Sequence, residues 1–202
     1  ENLSLIPGTV GAAPIQNIGA YGVELKDVFY ELEAVETRLG ELRKFSASEC
    51  RFGYRDSIFK NEQKNKYIIT SITLKLNKKP VFNTSYGAIE QELQKMGTGT
   101  ISIRTISEAV CRIRRSKLPD PAVIGNAGSF FKNPVIPKEQ FNELKKIYPD
   151  IVAFPIAPSP FSPLGELEGV KLAAGWLIEK AGWKGKRFGN YGVHAQQALV
   201  LV

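Results

Sequence analysis

Residues 67–76, with the sequence YIITSITLKL, carry the clearest structural signal in this chain. The pattern divides the side chains between two faces, with Ile68, Ile72, Leu74 and Leu76 on one and Ser71, Thr73 and Lys75 on the other. Alternation with a period of two is typical of a strand that is buried on one side only. The segment therefore predicts a half-buried strand of an antiparallel sheet.

The hydrophobic period changes from strand to helix after this segment. Residues 86–96 favour a helix, and Thr105-Ile-Ser-Glu108 has the pattern of a capping box that opens another one. The apolar face of this second helix would hold Ile106, Ala109, Val110 and Ile113. Pro119 would end it.

Further elements are predicted on both sides. A hairpin is expected from residues 28–35 and 42–45, followed by a capped turn at Ser46–Glu49. Beyond Pro119-Asp-Pro121 we expect helices at 137–148 and 170–181, a long proline-rich loop at 153–169 and a strand at 196–202. The predicted fold class is α+β, with a mixed or antiparallel sheet in residues 1–118 and a smaller α+β domain in residues 119–202.

Composition excludes several classes of protein. The 202 residues hold 43% hydrophobic and 23% charged side chains, which is ordinary for a globular chain, and no apolar run is long enough for a transmembrane helix. Two cysteines without a CxxC and one histidine predict neither a disulfide scaffold nor a metal site. A start without Met and an apolar end, ALVLV, indicate a piece of a longer protein.

The net charge of +7 leaves two interpretations open. It favours an anionic partner such as a phosphorylated ligand, or it reflects basic faces that keep the chain soluble. His194 is interpreted as a structural residue, and Cys50 and Cys111 as small hydrophobic residues.

Four segments point to an anionic ligand or a cofactor. They are the loop at residues 6–22, rich in glycine, alanine and proline, and the polar segments 51–60, 112–118 and 125–134. Backbone amides of such loops can contact phosphate closely, but a plain surface loop has the same composition. The cations of 112–118 also suit a helix C-terminus, although four in six residues exceed what capping needs.

Six blocks occur in the same order as in a known enzyme family. They are IPGTVGAAPIQNIGAYGVEL (6–25), CRFGYRDSIFK (50–60), KLPDP (117–121), GNAGSFFKNP (125–134), KLAAGWLIEKAGWKG (171–185) and VHAQQALVL (193–201). With these blocks the chain resembles the UDP-N-acetylenolpyruvoylglucosamine reductase family along essentially its whole length. SYG at 85–87 is similar to the subtype with a mobile Tyr loop over the substrate.

The resemblance implies a flavoenzyme of peptidoglycan precursor synthesis. In the family, NADPH reduces a non-covalent FAD, which passes hydride to the enolpyruvyl group of UDP-N-acetylglucosamine enolpyruvate. It implies a cytoplasmic monomer without nucleic-acid or membrane partners. Residues 1–118 would be the second part of the flavin-binding region and residues 119–202 an incomplete substrate domain. The family's Gly-x-Gly-Ser-Asn loop and its catalytic Glu segment are not found in this sequence.

The resemblance also implies roles for individual residues. Arg55 would lie by the enolpyruvyl carboxylate and stabilise the charge that builds there, and Ser129 would donate the proton. The substrate would be held by Tyr86, Lys117, Asn133 and Gln197. The flavin would be contacted by Gly8, Ile15, Gly19, Ala20, Tyr21, Tyr54 and Arg114.

Two other functions remain as alternatives. The chain by itself could be a UDP-sugar-binding module without redox activity, because the missing segments are needed for turnover. Nucleic-acid binding is disfavoured because the aromatic and basic pattern of RNA-binding modules is missing from the sequence.

Overall fold

A computed structural model describes residues 1–156 and 169–202. The chain forms two compact units, Glu1–Arg114 and Arg115–Val202. Helices accompany small sheets in both, and every strand pairing among the described residues is antiparallel. The predicted α+β class is therefore confirmed. Within the described residues, each helix is too short or too polar to cross a bilayer.

The first unit is built around a three-stranded sheet and a pair of helices. Its strands are β1 (Gly19–Ala20), β2 (Val23–Glu24), β3 (Phe29–Glu36), β4 (Leu42–Ser46) and β5 (Tyr67–Leu74). Its helices are α1 (Ala47–Cys50), α2 (Gly87–Met96) and α3 (Ile103–Lys117), whose last three residues belong to the second unit. It also contains 3₁₀ turns at Val10–Gln16, Leu25–Asp27 and Ile58–Lys60.

The hairpin predicted between residues 28 and 45 is present as β3 and β4. These strands pair antiparallel, and β5 joins the other edge of β3 to give the order β4-β3-β5. The capped turn is also confirmed, because the Ser46 hydroxyl accepts the Glu49 N–H while the Glu49 carboxylate accepts the Ser46 N–H.

The face assigned to the 67–76 strand is wrong for three of its four apolar residues, because Leu74 and Leu76 are exposed like Ile68, and Ile72 alone of the four packs on the core. Ala34 pairs with Ile69 and Glu33 with Ser71, so Thr70 is an extra residue that forms a β-bulge. A bulge reverses which side chains point inward, because faces alternate residue by residue. Tyr67, Ile69 and Ile72 pack on the core, whereas Ile68 is 63% exposed.

Two apolar cores stabilise this unit. One lies between the sheet and the adjoining turns, with Phe29, Leu32, Phe45, Cys50, Ile58 and Phe59 among its buried members. The other joins α2 to α3 through Ile89, Leu93, Ile106, Ala109, Val110 and Ile113. The predicted inner face of α3 is confirmed.

The start of α3 differs from the prediction. Ser102 and Thr105 exchange hydrogen bonds, with the Ser102 N–H donating to Thr105 Oγ1 at 2.8 Å and the Thr105 N–H to Ser102 Oγ at 3.1 Å. The reciprocal cap therefore lies three residues before the predicted one. The helix ends at Lys117, two residues before Pro119.

The second unit contains β6 (Val135–Pro137), α4 (Lys138–Ile147), β7 (Ala153–Pro155), β8 (Gly169–Leu172), α5 (Ala174–Lys180), β9 (Arg187–Phe188) and β10 (Tyr191–Gly192). Two predictions are wrong here. Residues 170–172 belong to β8, which pairs with both β6 and β7, so the predicted helix begins only at Ala174. Residues 196–202 form no continuous strand, because Val200 bridges Ser129 while Leu201 bridges Val193. Most of the proline-rich loop predicted at 153–169 lies outside the described residues.

Candidate functional site

The short hairpin of β1 and β2 organises the candidate site in the first unit. Its turn residues, Tyr21 and Gly22, have φ of 50° and 79°, as the tight primed turns of two-residue hairpins require. At its base Gly19 pairs with Glu24. The hairpin thus presents Tyr21 at its tip and the Gly19 backbone and Glu24 carboxylate at its base.

Arg55 reaches the base of this hairpin from a separate turn. Gly53 and Asp56 exchange backbone hydrogen bonds, and Arg55 between them has φ of 54°, which is unusual for a residue with a side chain. Its Nη1 donates to Glu24 Oε1 at 3.2 Å, and its Nη2 donates to the Gly19 carbonyl. The guanidinium also lies 5.1 Å from the centre of the Tyr54 ring. The predicted residues Gly19, Tyr54 and Arg55 are therefore in one place.

A buried asparagine secures the partner of Arg55. Asn17 is fully buried and donates from Nδ2 to Glu24 Oε2 at 3.0 Å and to the Gly53 carbonyl at 2.9 Å. Its own Oδ1 accepts the Lys26 N–H at 3.0 Å. One side chain thus ties the hairpin base to the turn that carries Arg55.

A second cluster lies at the tip of the hairpin. The rings of Tyr21 and Tyr86 meet edge to face at 5.4 Å between centroids. Burial raises the pKa of the Tyr21 hydroxyl, while the Arg114 guanidinium that hydrogen-bonds it acts in the opposite direction. Arg114 is itself held by donating from Nε to the Leu5 carbonyl at 3.1 Å. Predicted flavin and substrate residues therefore form one polar and aromatic group.

The glycine-rich loop lines a cleft of about 500 Å³ on the same unit. Ile15, Gly11 and Ala12 form one wall, and Lys60 and Lys64 contribute positive charge nearby. Of the other residues predicted to face a flavin, Gly8 is exposed and does not line this cleft, and Ala20 lies in β1.

In the second unit, the segment 125–134 is anchored to the chain end. Ser129 bridges Val200, and the Phe130 N–H donates to the Leu199 carbonyl at 2.9 Å. The Gly128 N–H donates to Asn126 Oδ1, and Gly128 has φ of 60°. Ser129 is thus an exposed hydroxyl on a segment whose backbone is fixed on both sides.

The predicted substrate residues of this unit differ in how they are used. Asn133 Oδ1 accepts the Ala174 N–H at 2.9 Å and so caps α5, which leaves Nδ2 as its donor for a ligand. Gln197 lies in a turn, with its N–H donating to His194 Nδ1 at 3.2 Å. Lys117 is exposed at the last residue of α3.

His194 and Cys50 have structural roles. His194 Nδ1 accepts two backbone N–H groups, from Gln196 and Gln197. Cys50 is fully buried, and desolvation raises its pKa to about 12, so its thiol is unreactive at neutral pH. Among the described residues, no cluster of three or more His, Cys, Asp or Glu side chains could hold a metal.

Sequence reasoning missed Asn2, Asn17 and Glu24. Asn2 is buried and donates to the carbonyls of Tyr21 and Asn83, which joins the hairpin tip to the segment before α2. The available signal for Asn17 was its position between Ile15 and Ile18 in the segment PIQNIG. For Glu24 no local signal existed, because a single acid after a short strand is common.

Comparison with known proteins gives a consistent result. Residues 120–202 match the family model for the C-terminal domain of UDP-N-acetylenolpyruvoylglucosamine reductase. Over 202 residues the chain is 55% identical to the protein of that name from Pseudomonas aeruginosa, 54% to that from Amoebophilus asiaticus and 52% to that from Bdellovibrio bacteriovorus. It spans 57% of the length of each of these relatives.

A solved structure shares the fold. The crystal structure of UDP-N-acetylenolpyruvylglucosamine reductase from Thermus caldophilus aligns with a TM-score of 0.57 at 23% identity, over 100% of this chain and 52% of that one. The resemblance inferred from the sequence blocks is thereby confirmed. This chain is similar along its whole length to UDP-N-acetylenolpyruvoylglucosamine reductases, and its residues 120–202 match the C-terminal domain of that family.

Proposed function

We propose that this chain is the central and substrate-binding portion of an NADPH- and FAD-dependent reductase. The reaction would reduce the enolpyruvyl group of UDP-N-acetylglucosamine enolpyruvate to the lactyl ether of UDP-N-acetylmuramate. The chain's similarity to reductases of that name supports the proposal, and so does one observation in particular. Arg55 is a cation fixed by protein acceptors beside the hairpin that carries Tyr21.

Arg55 suits the charge that this reaction develops. Hydride addition to the carbon beta to the carboxylate moves negative charge toward that carboxylate. A guanidinium already held in place stabilises such charge without reorganising, and it can bind a carboxylate with two parallel hydrogen bonds. Arg55 would therefore act as the electrostatic catalyst of substrate reduction.

Ser129 would complete the reaction. The carbon next to the hydride acceptor needs a proton, and the Ser129 hydroxyl would supply it from a backbone that is fixed on both sides. The exposed rings of Phe130 and Phe131 stand beside it and offer an apolar surface that would help to exclude water once substrate is bound.

Residues of the first unit fit a flavin in their chemistry. The rings of Tyr21 and Tyr54 offer flat aromatic surfaces, and the Arg114 guanidinium beside Tyr21 offers positive charge, which suits an aromatic ring system that bears phosphates. Of the residues assigned to FAD, Ile15 also lines the cleft beside the glycine-rich loop. FAD, when bound, supplies two-electron hydride transfer from NADPH. Its contacts would come from Gly8, Ile15, Gly19, Ala20, Tyr21, Tyr54 and Arg114.

The UDP-sugar would be held mainly through its diphosphate. Lys117 contributes positive charge, and Tyr86, Gln197 and Asn133, the last through Nδ2, contribute hydrogen-bond donors. We assign residues 1–118 to the flavin region, which would also lend Tyr86 and Lys117 to the substrate, and residues 119–202 to the substrate domain. We further propose that the complete protein acts as a monomer in the cytoplasm.

The decisive experiment uses the full-length reductase that carries this chain. Yellow flavin should copurify, and NADPH oxidation should depend on UDP-N-acetylglucosamine enolpyruvate, with a product heavier than the substrate by two hydrogen atoms. NADPH oxidation that is indifferent to this substrate would refute the proposal.

For the 202-residue chain alone, binding without redox activity is the second candidate. The 57% coverage of the relatives favours it, because the rest of their length is outside this chain. Calorimetry with the UDP-sugar, combined with flavin absorbance of the purified chain, distinguishes the two. Colourless protein that binds the sugar nucleotide would support a binding module.

A further inference from the structure

We propose that Glu24 is the positioning residue for Arg55, holding one end of the guanidinium so that its Nε side faces the substrate carboxylate. The inference rests on the proposed function and adds a residue that the sequence motifs did not indicate. It follows from which N–H groups of Arg55 already donate hydrogen bonds to the protein.

The protein's acceptors contact the two terminal nitrogens of the Arg55 guanidinium, Nη1 and Nη2. A guanidinium has five N–H groups in a rigid plane. Nη1 donates to Glu24 Oε1 at 3.2 Å and to the Asn17 carbonyl at 3.5 Å, and Nη2 donates to the Gly19 carbonyl. None of the hydrogen bonds formed within residues 1–156 and 169–202 uses Nε. Nε–H and one of the two Nη2–H groups are therefore left for a ligand.

This remaining pair has the geometry that a carboxylate requires. Two parallel N–H groups match the two oxygens of a planar carboxylate, which is why arginine is suited to bidentate recognition. Because Glu24 contacts Nη1, a carboxylate bound to Nε and Nη2 would not have to displace it. The same contacts prevent the guanidinium from turning, so less side-chain freedom is lost when substrate binds.

Glu24 is itself rigidly held, as a positioning residue must be. Its Oε2 accepts from Asn17 Nδ2 at 3.0 Å and lies 3.1 Å from Lys26 Nζ. Its backbone N–H donates to Asp27 Oδ2 at 2.7 Å. The side chains of Glu24 and Arg55 are 22% and 27% exposed, so their contact is partly shielded from water. Because Lys26 and Arg55 both pair with the single Glu24 carboxylate, the three side chains together keep one positive charge.

The experiment is a double-mutant cycle in the full-length reductase, with the two half-reactions measured separately by stopped-flow flavin absorbance. Glu24→Ala should slow flavin oxidation by the substrate roughly 10–100-fold, as loss of an orienting partner commonly does. Reduction of the flavin by NADPH should stay within about twofold. The loss should fall mainly on kcat, since the contact matters most as negative charge develops.

The cycle separates positioning from a general effect on folding. In an Arg55→Ala background, Glu24→Ala should add less than about twofold, because coupled residues are not additive. Glu24→Gln keeps an oxygen for Arg55 and should recover part of the rate. Glu31→Ala is the control, because Glu31 also pairs with a cation, at 3.3 Å from Lys44 Nζ, and its side chain is 31% exposed against 22% for Glu24.

Two outcomes overturn the inference. One is an unchanged loss from Glu24→Ala in the Arg55→Ala background, and the other is equal slowing of both half-reactions. If Arg55→Ala alone left substrate reduction intact, the role of Arg55 in the proposed function would fail instead.

Discussion

Gly19 and Arg55 are in such close contact that no side chain fits between them. A Cβ built on Gly19 would stand 2.6 Å from Arg55 Nη1, 2.9 Å from Glu24 Cγ and 3.0 Å from the Val23 carbonyl oxygen. The absence of a side chain at position 19 is therefore what allows the guanidinium to reach the hairpin base. Position 19 controls the geometry of Arg55 in two ways, through its backbone carbonyl, which accepts from Nη2, and through its lack of a side chain.

Gly19→Ala should displace the Arg55 guanidinium. We expect substrate reduction in the full-length enzyme to fall by about 100-fold, which is the scale for misplacing a catalytic group by 1 Å. Overpacking should also lower the free energy of unfolding by about 1–3 kcal/mol. Stopped-flow kinetics and denaturant titration measure the two effects. Gly99→Ala is the control, because its Cβ would meet nothing within 4 Å, and a similar loss there would discredit the explanation.

Ser129→Ala should prevent protonation while sparing the earlier steps. Flavin reduction and substrate binding should persist, whereas product formation should drop by at least roughly 10²–10⁴-fold, the usual contribution of positioned proton transfer. Ser129→Cys should retain part of the activity, because a thiol is the stronger acid. The measurement is single-turnover product formation. An alanine enzyme within a few-fold of wild type would exclude Ser129 as the donor.

Lys117→Ala should weaken binding of the sugar nucleotide, and the loss should shrink as salt is raised. Lys117 is exposed at the end of α3, so its attraction to a diphosphate is screened by ions. Calorimetry on the 202-residue chain at low and high salt measures this. Lys95→Ala, also in the last turn of a helix, is the matched control. An unchanged dissociation constant at low salt would contradict the diphosphate role.

Cys50 should make stability depend on pH only in the alkaline range. Burial raises its pKa from 9.0 to about 12, so the folded state keeps a proton that the unfolded state loses. Stability is therefore unaffected by this thiol below pH 9 and declines as the pH rises from 9 toward 12. Denaturant titrations at several pH values should show a smaller decline for Cys50→Ala than for wild type. Equal slopes for both proteins would rule out this contribution.

Elements governed by neighbouring residues were predictable from the sequence. The β3–β4 hairpin, the Ser46–Glu49 cap and the inner face of α3 depend on side chains a few positions apart, so the local pattern contains the necessary information. The ordered sequence blocks likewise revealed the similarity to UDP-N-acetylenolpyruvoylglucosamine reductases before any contact was known.

The other features of the fold depend on contacts between residues that are distant in the sequence. Pairing with β3 placed the bulge at Thr70 and so reversed the face of Ile68. Pairing with both β6 and β7 made a strand of residues 170–172, which the local pattern assigned to a helix. Whether a segment forms a strand depends on the strands that pair with it, and the local sequence pattern does not specify those partners.

The candidate site likewise contains residues that the sequence identified and partners that only the structure revealed. Its motif residues, such as Arg55 and Ser129, could be named from the sequence by resemblance, but the partners that hold them could not. Glu24 accepts a hydrogen bond from Arg55, which lies 31 residues further along the chain. Buried Asn17 donates both to Glu24 and to the Gly53 carbonyl in the turn that carries Arg55. The sequence by itself determined the local elements and the residue types at the site. Only the tertiary structure decided which carboxylate orients the guanidinium, because that contact depends on how separate turns pack together.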